Sequence, residues 1–513
     1  MATPSDKLAD SLEVLRNLQK ERVPAIRSAD LSRTHRERLV RNGFLKEVVK
    51  GWYISTRPDE IEGESTAWYA GYWQFCAAYL NHWKNEDWCL TPEQSVALHA
   101  ENWTIPRQLA VRATKATNNV TPLTHGTALL VMRSSLPRSD RVIERNGMRI
   151  FSLPAALIGS GKQLFRQSPA DARVALAMIG NASEILEQLL EGGHTIITGR
   201  LAGAFRNIGR PRIADEILQT MRAAGFNVRE TDPFETNSTV SFTRREQSPY
   251  VTRIQMLWQD MRAEVAKSFP APPRQFVDAE AYMRNVGQAY VNDAYSSLSI
   301  EGYQVTPELI DRVRSGDWNP AQFESDKESV DALAARGYWQ AFQAVCSSVE
   351  KILAGQNAGQ VIDHDHGDWY REMFAPGVAV GIHKPADLAG YRNGPVYIRR
   401  SRHVPPSKGA VRDVMPALFD LLKQETDAAV RAVLGHFVFV YIHPYMDGNG
   451  RMGRFLMNAM LASGGYPWTI VPLEKRNVYM AALEEASVNK NIKPFSKLLG
   501  SLVKMPTSKS ESI

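Results

Sequence analysis

The stretch His443-Pro444-Tyr445-Met446-Asp447-Gly448-Asn449-Gly450-Arg451-Met452-Gly453-Arg454 decides how this chain is read. It gathers a base, an acid, an anion cradle and two arginines into one short segment. That set suits phosphoryl-group chemistry on a nucleotide. Gly448 and Gly450 let the backbone approach an anion at φ values other residues avoid. Asn449 between them offers a side-chain donor to a phosphate. Arg451 opens an apolar-periodic run through Phe455, Leu456, Met460 and Leu461, expected to be a helix. Free N–H groups at its start face the same anion. Arg451 and Arg454, three apart, share a helical face and can clamp one polyphosphate. His443 is suited to take a proton from an attacking hydroxyl. Asp447 is suited to hold Mg²⁺, which takes few carboxylates alongside phosphate oxygens. The bland alternative is a helix-capping turn with a surface histidine and solvated arginines. The joint match to H-P-x-x-D-G-N-G-R-x-x-R argues against it.

This segment resembles the signature of Fic-domain proteins, H-P-F-x-D/E-G-N-G-R-x-x-R. The resemblance implies an enzyme that moves AMP from ATP to a side-chain hydroxyl of a target protein. Carried over residue by residue, His443 is the general base and Asp447 the Mg²⁺ ligand. Gly448, Asn449, Gly450 and Arg451 bind the nucleotide phosphates, and Arg454 meets the γ-phosphate. Tyr445 stands where the family usually has Phe, a side chain that packs inward. Relatives with Ala and Lys in the loop act as kinases; Gly448 and Gly450 favour nucleotidyl transfer.

Two further segments fit the resemblance. Tyr391-Arg392-Asn393-Gly394-Pro395-Val396-Tyr397-Ile398 combines an Asn-Gly turn with β-branched residues, which predicts a hairpin. Family members place a flap here, and Val396, Tyr397 and Ile398 are expected to dock the target by strand addition. Ser297-Leu298-Ser299-Ile300-Glu301-Gly302 fits the family's inhibitory pattern, S/T-x-x-x-E-G/N. Ser297, Glu301 and Gly302 are thus expected at the end of an inhibitory helix near 285–302, with Glu301 paired to Arg454.

Composition bounds the rest. The chain has 513 residues, 44% hydrophobic and 23% charged, with formal charge +6. This describes a folded protein of about three domains as a soft prior. The charge alone does not argue for nucleic acid. Cys76, Cys89 and Cys346 show no metal-ligand spacing, and the N-terminus lacks a signal-peptide pattern, so a cytoplasmic setting is expected. No apolar run is long enough for a membrane span. The run 433–442, which includes His436, reads as a buried helix delivering the catalytic loop. His364 and His366 read as a solvated loop, not a zinc site.

The first sixty residues read as one unit. Leu8, Leu12, Leu15 and Leu18 predict an amphipathic helix after which Val23 and Pro24 open a turn. A basic helix carries Arg33, Arg36, Arg38 and Arg41, and a hairpin carries Lys46 and Lys50. That is the order of a winged helix-turn-helix, whose basic helix can enter a DNA groove. The segment resembles AbiEi-like antitoxins, as does Asn146-Gly147-Met148-Arg149-Ile150-Phe151-Ser152-Leu153, a strand leading into a helix. Trp68, Trp73, Trp83, Trp88 and Trp103 read as packing, and Gly199 to Arg206 as structural. Pro233 and the polar run 235–248 mark a boundary.

The expected fold is therefore mainly α: an all-α Fic core with a β-hairpin flap, preceded by an α/β winged helix-turn-helix and an α+β middle domain. The expected domains are 1–60, 61–235 and 250–505. Expected partners are ATP with Mg²⁺, a target protein with an accessible hydroxyl, and double-stranded DNA; there is no membrane partner, and a homodimer is left open. Two alternatives stand. One is a DNA-binding regulator whose Fic module senses nucleotide or modifies itself; the other is an enzyme that removes AMP.

Overall fold

The computed structural model describes residues 3–20, 25–58, 65–236, 248–273, 278–316 and 330–504. Val23, Pro24 and most of the polar run 235–248 lie outside the described residues. The chain forms two compact units, Met1–Pro249 with Tyr397–Val404, and Tyr250–Val396 with Pro405–Ile513.

The first unit starts with helix α1 (Pro4–Lys20), strand β1 (Ile26–Arg27), helix α2 (Arg33–Arg41) and strands β2 (Leu45–Val49) and β3 (Trp52–Ser55). Ser32 caps α2 by accepting from the His35 N–H at 3.2 Å. β3 lies between β1 and β2, antiparallel to both. Leu15, Ile26, Leu31, Leu39, Leu45 and Tyr53 close a small core, against which Leu12 and Leu18 pack. That arrangement follows from apolar positions at helical spacing in α1 and alternation in the strands.

Helix α3 (Thr66–Lys84), strand β4 (Trp88–Leu90), helix α4 (Pro92–His99) and strands β5 (Gln108–Ala113), β6 (Val120–Pro122) and β7 (Ala128–Arg133) follow. Their sheet has the order β4-β5-β7-β6, with β5 and β7 parallel. A separate hairpin pairs β8 (Val142–Arg145) with β9 (Met148–Phe151). Trp68, Trp73, Trp88 and Trp103 are buried in this core as expected. Trp83 is not: it is 60% exposed. Helical periodicity turns it outward at the last turn of α3, where the sequence alone offered no distinction. Helices α5 to α10 (Leu153–Gly159, Gln163–Gln167, Pro169–Met178, Ser183–Gly192, Thr195–Asn207, Pro211–Ala223) complete the N-terminal part of the unit. Gly199 on α9 is structural: a Cβ there would lie 1.9 Å from the Arg229 carbonyl. The segment Tyr397–Val404 is held in the same unit by a hydrogen bond from the Ile105 N–H to the Arg402 carbonyl, 3.0 Å.

The second unit is built of helices and loops, with no strand among its described residues. Its helices are α11 (Pro249–Ser268), α12 (Ala279–Glu301), α13 (Pro307–Ser315), α14 (Val330–Leu353), α15 (Ala358–Ala379), α16 (Val411–Gln424), α17 (Ala428–Ile442), α18 (Asn449–Ala462), α19 (Arg476–Asn489) and α20 (Lys493–Val503). The mainly α fold is thus what the chain adopts. Apart from Arg431 near its start, α17 is apolar on nearly every face and mostly buried, through Val430, Val433, Leu434, Phe437, Val438 and Ile442. It runs directly into the loop at His443. Its one polar core group, His436, is satisfied: Nδ1 donates to the Gly453 carbonyl and Nε2 accepts from the Tyr479 hydroxyl, both at 2.8 Å.

Two expectations are corrected here. His364 and His366 lie on α15, not in a loop; His366 Nε2 meets the Tyr391 hydroxyl at 2.8 Å and His364 meets Asp365 at 2.8 Å. No hairpin forms at 391–398. The Arg392 N–H donates to the Pro444 carbonyl at 2.9 Å, so the backbone group a ladder needs is committed elsewhere. Pro395 has no N–H to give. Among the described residues no helix is long and apolar enough to cross a membrane.

Candidate active site

The end of α17 and the start of α18 build the site. His443 caps α17 with left-handed backbone, φ 54° and ψ 59°. A non-glycine residue there is strained and must be held. Arg392 holds it. This buried guanidinium donates from Nε to the His443 carbonyl at 2.7 Å and from Nη1 to the Gly394 carbonyl at 3.0 Å. Nη2 donates to the Pro406 carbonyl and, at 3.4 Å, to that of Ile442. Burial pulls its pKa down to about 10.

The His443 ring is fixed as well. Its Nδ1 lies 3.2 Å from the Val440 carbonyl. A carbonyl only accepts, so Nδ1 carries the hydrogen and Nε2 keeps its lone pair. Burial pushes the His443 pKa down to about 4; Arg392 adds to this, while the Val440 contact, Glu301 and Asp447 oppose it. The imidazole is therefore neutral at physiological pH, in the form that accepts a proton.

The loop 444–448 folds tightly onto α18. Asn449 is tied to this loop. Its amide donates to the Tyr445 carbonyl and accepts from the Tyr445 N–H, each at 2.9 Å. One side-chain N–H is thereby spent on the loop, while the other and the main-chain N–H at the helix start remain suited to an anion. Tyr445 packs inward, stacked on Tyr370 with ring centres 3.8 Å apart. Gly448 has φ +80°, and a Cβ there would press on Phe374 at 2.9 Å. Asp447 is mostly exposed and accepts from the Gly448 N–H at 2.6 Å and from Arg451 Nη2 at 3.2 Å.

Arg451 and Arg454 are both buried on α18. Arg451 lies between the rings of Tyr303 and Phe374, 5.2 Å from each centre. Its Nε has no hydrogen-bond partner among the described residues, and neither has Arg454 Nη1. Buried donors left open in this way are suited to an incoming anion.

Helix α12 supplies the remaining contacts. Ser297 Oγ accepts from Arg454 Nε at 2.8 Å, and the Ser297 carbonyl accepts from Nη2 at 3.0 Å. Glu301 Oε1 accepts from Nη2 at 2.8 Å. Burial alone would lower the pKa of Arg454, but Glu301 raises it further, so the net shift is upward. Glu301 ends α12, and Gly302 follows in left-handed conformation at φ 101°. The carboxylate sits against Gly450, where a Cβ would fall 2.2 Å from Oε1. The structure thus brings Ser297, Glu301, Gly450 and Arg454 together.

The N-terminal residues are placed differently. Arg33 is exposed and pairs with Glu37 at 2.7 Å. Arg36 donates to the Ser28 carbonyl at 3.0 Å, and Arg38 to the Lys7 carbonyl at 2.6 Å. Lys46 meets His125 at 3.2 Å. Arg41 and Lys50 are exposed. Val396, Tyr397 and Ile398 lie in no strand.

Comparison with known proteins finds a family match in one region of the chain. Residues 367–461 match the model of the Fic/DOC family, and this part of the chain is a Fic domain. A protein adenylyltransferase Fic of Drosophila willistoni is 35% identical over 119 residues, which is 22% of this chain and 23% of that protein. Its counterpart in Nematostella vectensis is 35% identical over 124 residues, 23% and 28% of the two chains. The chain therefore spans only about a quarter of the length of the curated relatives it matches. A solved fragment of Fic-1 from C. elegans is 17% identical, with TM-score 0.36, covering 66% of this chain and 93% of that one.

The residue that reading the sequence missed is Arg392. Its partners are carbonyls, which every residue carries, so no spacing pattern announces it. Arg392→Ala is expected to destabilise the fold by about 3 kcal/mol, since it leaves buried carbonyls unpaired. Arg392→Lys should recover only part, because an ammonium lacks the planar fork. Denaturant unfolding reads both; an unchanged midpoint for the alanine variant would show that these bonds contribute nothing.

Proposed function

We propose that the Fic domain transfers AMP from ATP to a Ser, Thr or Tyr hydroxyl of a protein target, or of the chain itself, and that Glu301 restrains it. The observation that carries this reading is the buried Arg454. It is gripped by Ser297 and Glu301 yet keeps one nitrogen open, beside a helix start and a neutral histidine with a free Nε2. In the reaction His443 Nε2 takes the proton of the target hydroxyl as its oxygen bonds to the α-phosphorus. The bond from that phosphorus to the bridging oxygen breaks, and pyrophosphate leaves. The α18 N–H groups, Arg451 and Arg454 neutralise the phosphates. Gly448 and Gly450 admit them to the backbone. The exposed Asp447 carboxylate fits Mg²⁺, which prefers one or two carboxylates with phosphate oxygens. Bound there, Mg²⁺ would supply charge neutralisation at the phosphates. Val396, Tyr397 and Ile398 lie in no strand, and we infer that main-chain groups there dock a target segment by strand addition. Incubating the protein with α-labelled ATP and cell lysate tests the reading: labelled protein bands are expected, and their absence from wild type and Glu301→Gly alike would overturn it.

A second activity is favoured by the N-terminal geometry. A capped basic helix followed by a hairpin is the arrangement of a winged helix-turn-helix, and we infer that it binds double-stranded DNA. Arg41 and Lys50 are exposed for phosphate contacts, as is Arg33 once it leaves the surface pair with Glu37. Arg36, Arg38 and Lys46 must first leave their present partners, so their contribution is smaller. Binding with steep salt dependence is expected in anisotropy measurements. Arg33→Ala with Arg41→Ala should weaken it by more than tenfold, on the order of the loss of two phosphate contacts. No binding at low salt would rule this reading out.

A further inference from the structure

Trp83 stands in the open, whereas Trp52, Trp68, Trp73, Trp88 and Trp103 of the same unit are buried. It is 60% exposed in the last turn of α3. An indole is a large apolar ring with one polar tip, and one left in water is characteristic of binding surfaces. Its neighbours do not cover it. Tyr79 is tilted at 57° with ring centres 6.2 Å apart, and His82 meets it edge-on at 5.4 Å. Among the described residues no ring stacks on Trp83.

Trp83 borders a cleft of about 590 Å³ between the end of α3 and the sheet strands β5, β6 and β7. Ligand sites run from roughly 300 to 1,000 Å³. Tyr79, Leu80 and Val131 give the cleft apolar surface, and Thr117, Asn119 and Thr121 give it polar groups. Lys84, Lys115 and Arg133 give it positive charge, and no carboxylate lines it. Lys115 and Arg133 are exposed and form no ion pair among the described residues. The wall that carries them is fixed from both sides. Lys84 Nζ donates to the Lys115 carbonyl, and the Arg133 N–H donates to Asn118 Oδ1 at 2.6 Å. The Thr114 hydroxyl donates to Asp87, which anchors the start of the loop. The cleft is thus built without a ligand, which lowers the ordering cost of binding one.

Each property narrows the ligand. Cations without a facing acid call for an anion. An uncovered indole calls for a flat ring to stack on it. Hydroxyl and amide groups suit the polar edge of such a ring. Together they describe a nucleotide unit. A free nucleotide is mostly enclosed by its site. Here Trp83, Thr114, Lys115, Thr117, Asn119 and Arg133 are all exposed, so the walls suit a strand that passes over the surface.

We propose that this cleft binds single-stranded nucleic acid, with an unstacked base on Trp83 and the flanking phosphates against Lys115 and Arg133. Stacking platforms beside a basic groove are how strands are held without sequence preference. A duplex keeps its base faces covered, so the ligand differs from that of the basic helix α2. The proposal rests neither on the duplex reading of α2 nor on the activity of the Fic domain.

The test is fluorescence anisotropy on the full chain with an end-labelled oligothymidylate of about ten nucleotides, within the span such a groove covers. Binding is expected at low salt. Trp83→Ala should weaken it by about tenfold or more, the scale of one lost base stack, and Trp83→Phe should keep most of the affinity. Because the indole is exposed, neither change should move the thermal unfolding midpoint. Lys115→Ala with Arg133→Ala should flatten the plot of log affinity against log salt by about 1.4, the value for two phosphate contacts on a single strand. Arg33→Ala with Arg41→Ala should leave strand binding as it is. No binding at low salt overturns the proposal, as does binding that Trp83→Ala leaves unchanged. If thymidine monophosphate competes as well as the strand at equal nucleotide concentration, the cleft serves free nucleotide and the proposal falls. Duplex that displaces the labelled strand as well as unlabelled strand does would mean that phosphates alone are read, and overturns it too.

Discussion

Glu301→Gly should raise AMP transfer by about a hundredfold, the scale of a charge-assisted contact to a buried guanidinium. In wild type the carboxylate meets Arg454 Nη2 at 2.8 Å and stands against Gly450. A nucleotide then finds its clamp turned away and its backbone cradle partly filled. Removing the carboxylate clears the cradle and leaves Arg454 held by Ser297 alone. Glycine also weakens the end of α12 by roughly 1 kcal/mol relative to alanine, so fraying contributes to the gain. Glu301→Gln separates the two effects, since it keeps the length and loses the charge. A mutant cycle with Arg454→Ala reads the pair itself, and independent effects would mean the contact has no bearing on rate. If instead transfer is unchanged and removal of AMP from modified protein is lost, Glu301 serves hydrolysis.

His443→Ala should cut transfer by about a thousandfold while nucleotide binding persists, within the range general-base removal produces. The imidazole caps α17 and contacts Val440, so its loss touches no anion-binding group. The pH dependence follows from its depressed pKa of about 4. Such a base is already deprotonated well below neutrality. The acid limb caused by His443 should therefore appear near pH 4, not near the ordinary 6.5 of histidine. The neutral ring also links stability to pH. Since its folded pKa lies below its unfolded value, stability is full above about 6.5 and declines as pH falls toward 4. Calorimetric binding of ATP to the variant, beside label transfer, checks the split; loss of both together would place His443 in binding.

The Fic-type loop was legible because its chemistry is local. Residues 443–454 are contiguous, and a glycine needed for close approach or left-handed backbone shows itself by type. The buried character of α17 was legible for a similar reason: an apolar run with no polar face must be covered. What was not legible depends on where chain segments meet. Asn449 can serve a phosphate or its own loop, and only the fold closes it on Tyr445. The Asn393-Gly394 turn signal was genuine locally but lost to the Arg392–Pro444 bond. The cleft beside Trp83 carried no motif at all, because its walls come from separate stretches of the chain. Arg36 and Arg38 look like ready DNA contacts in one dimension, yet they meet main-chain carbonyls in three.

The placement of the Glu301 carboxylate against Gly450 has a consequence for what signal the site can sense. A carboxylate delivered by the end of a helix behaves as a tethered competitor, present at a fixed local concentration. Tethered groups reach millimolar effective concentrations even on flexible linkers, and one on a packed helix is confined more tightly. Dissolved nucleotide has to outcompete it, so the ATP concentration needed to fill the cradle rises in proportion to that local concentration. Whatever bends or shifts α12 lowers the local concentration and so becomes a second input beside ATP itself.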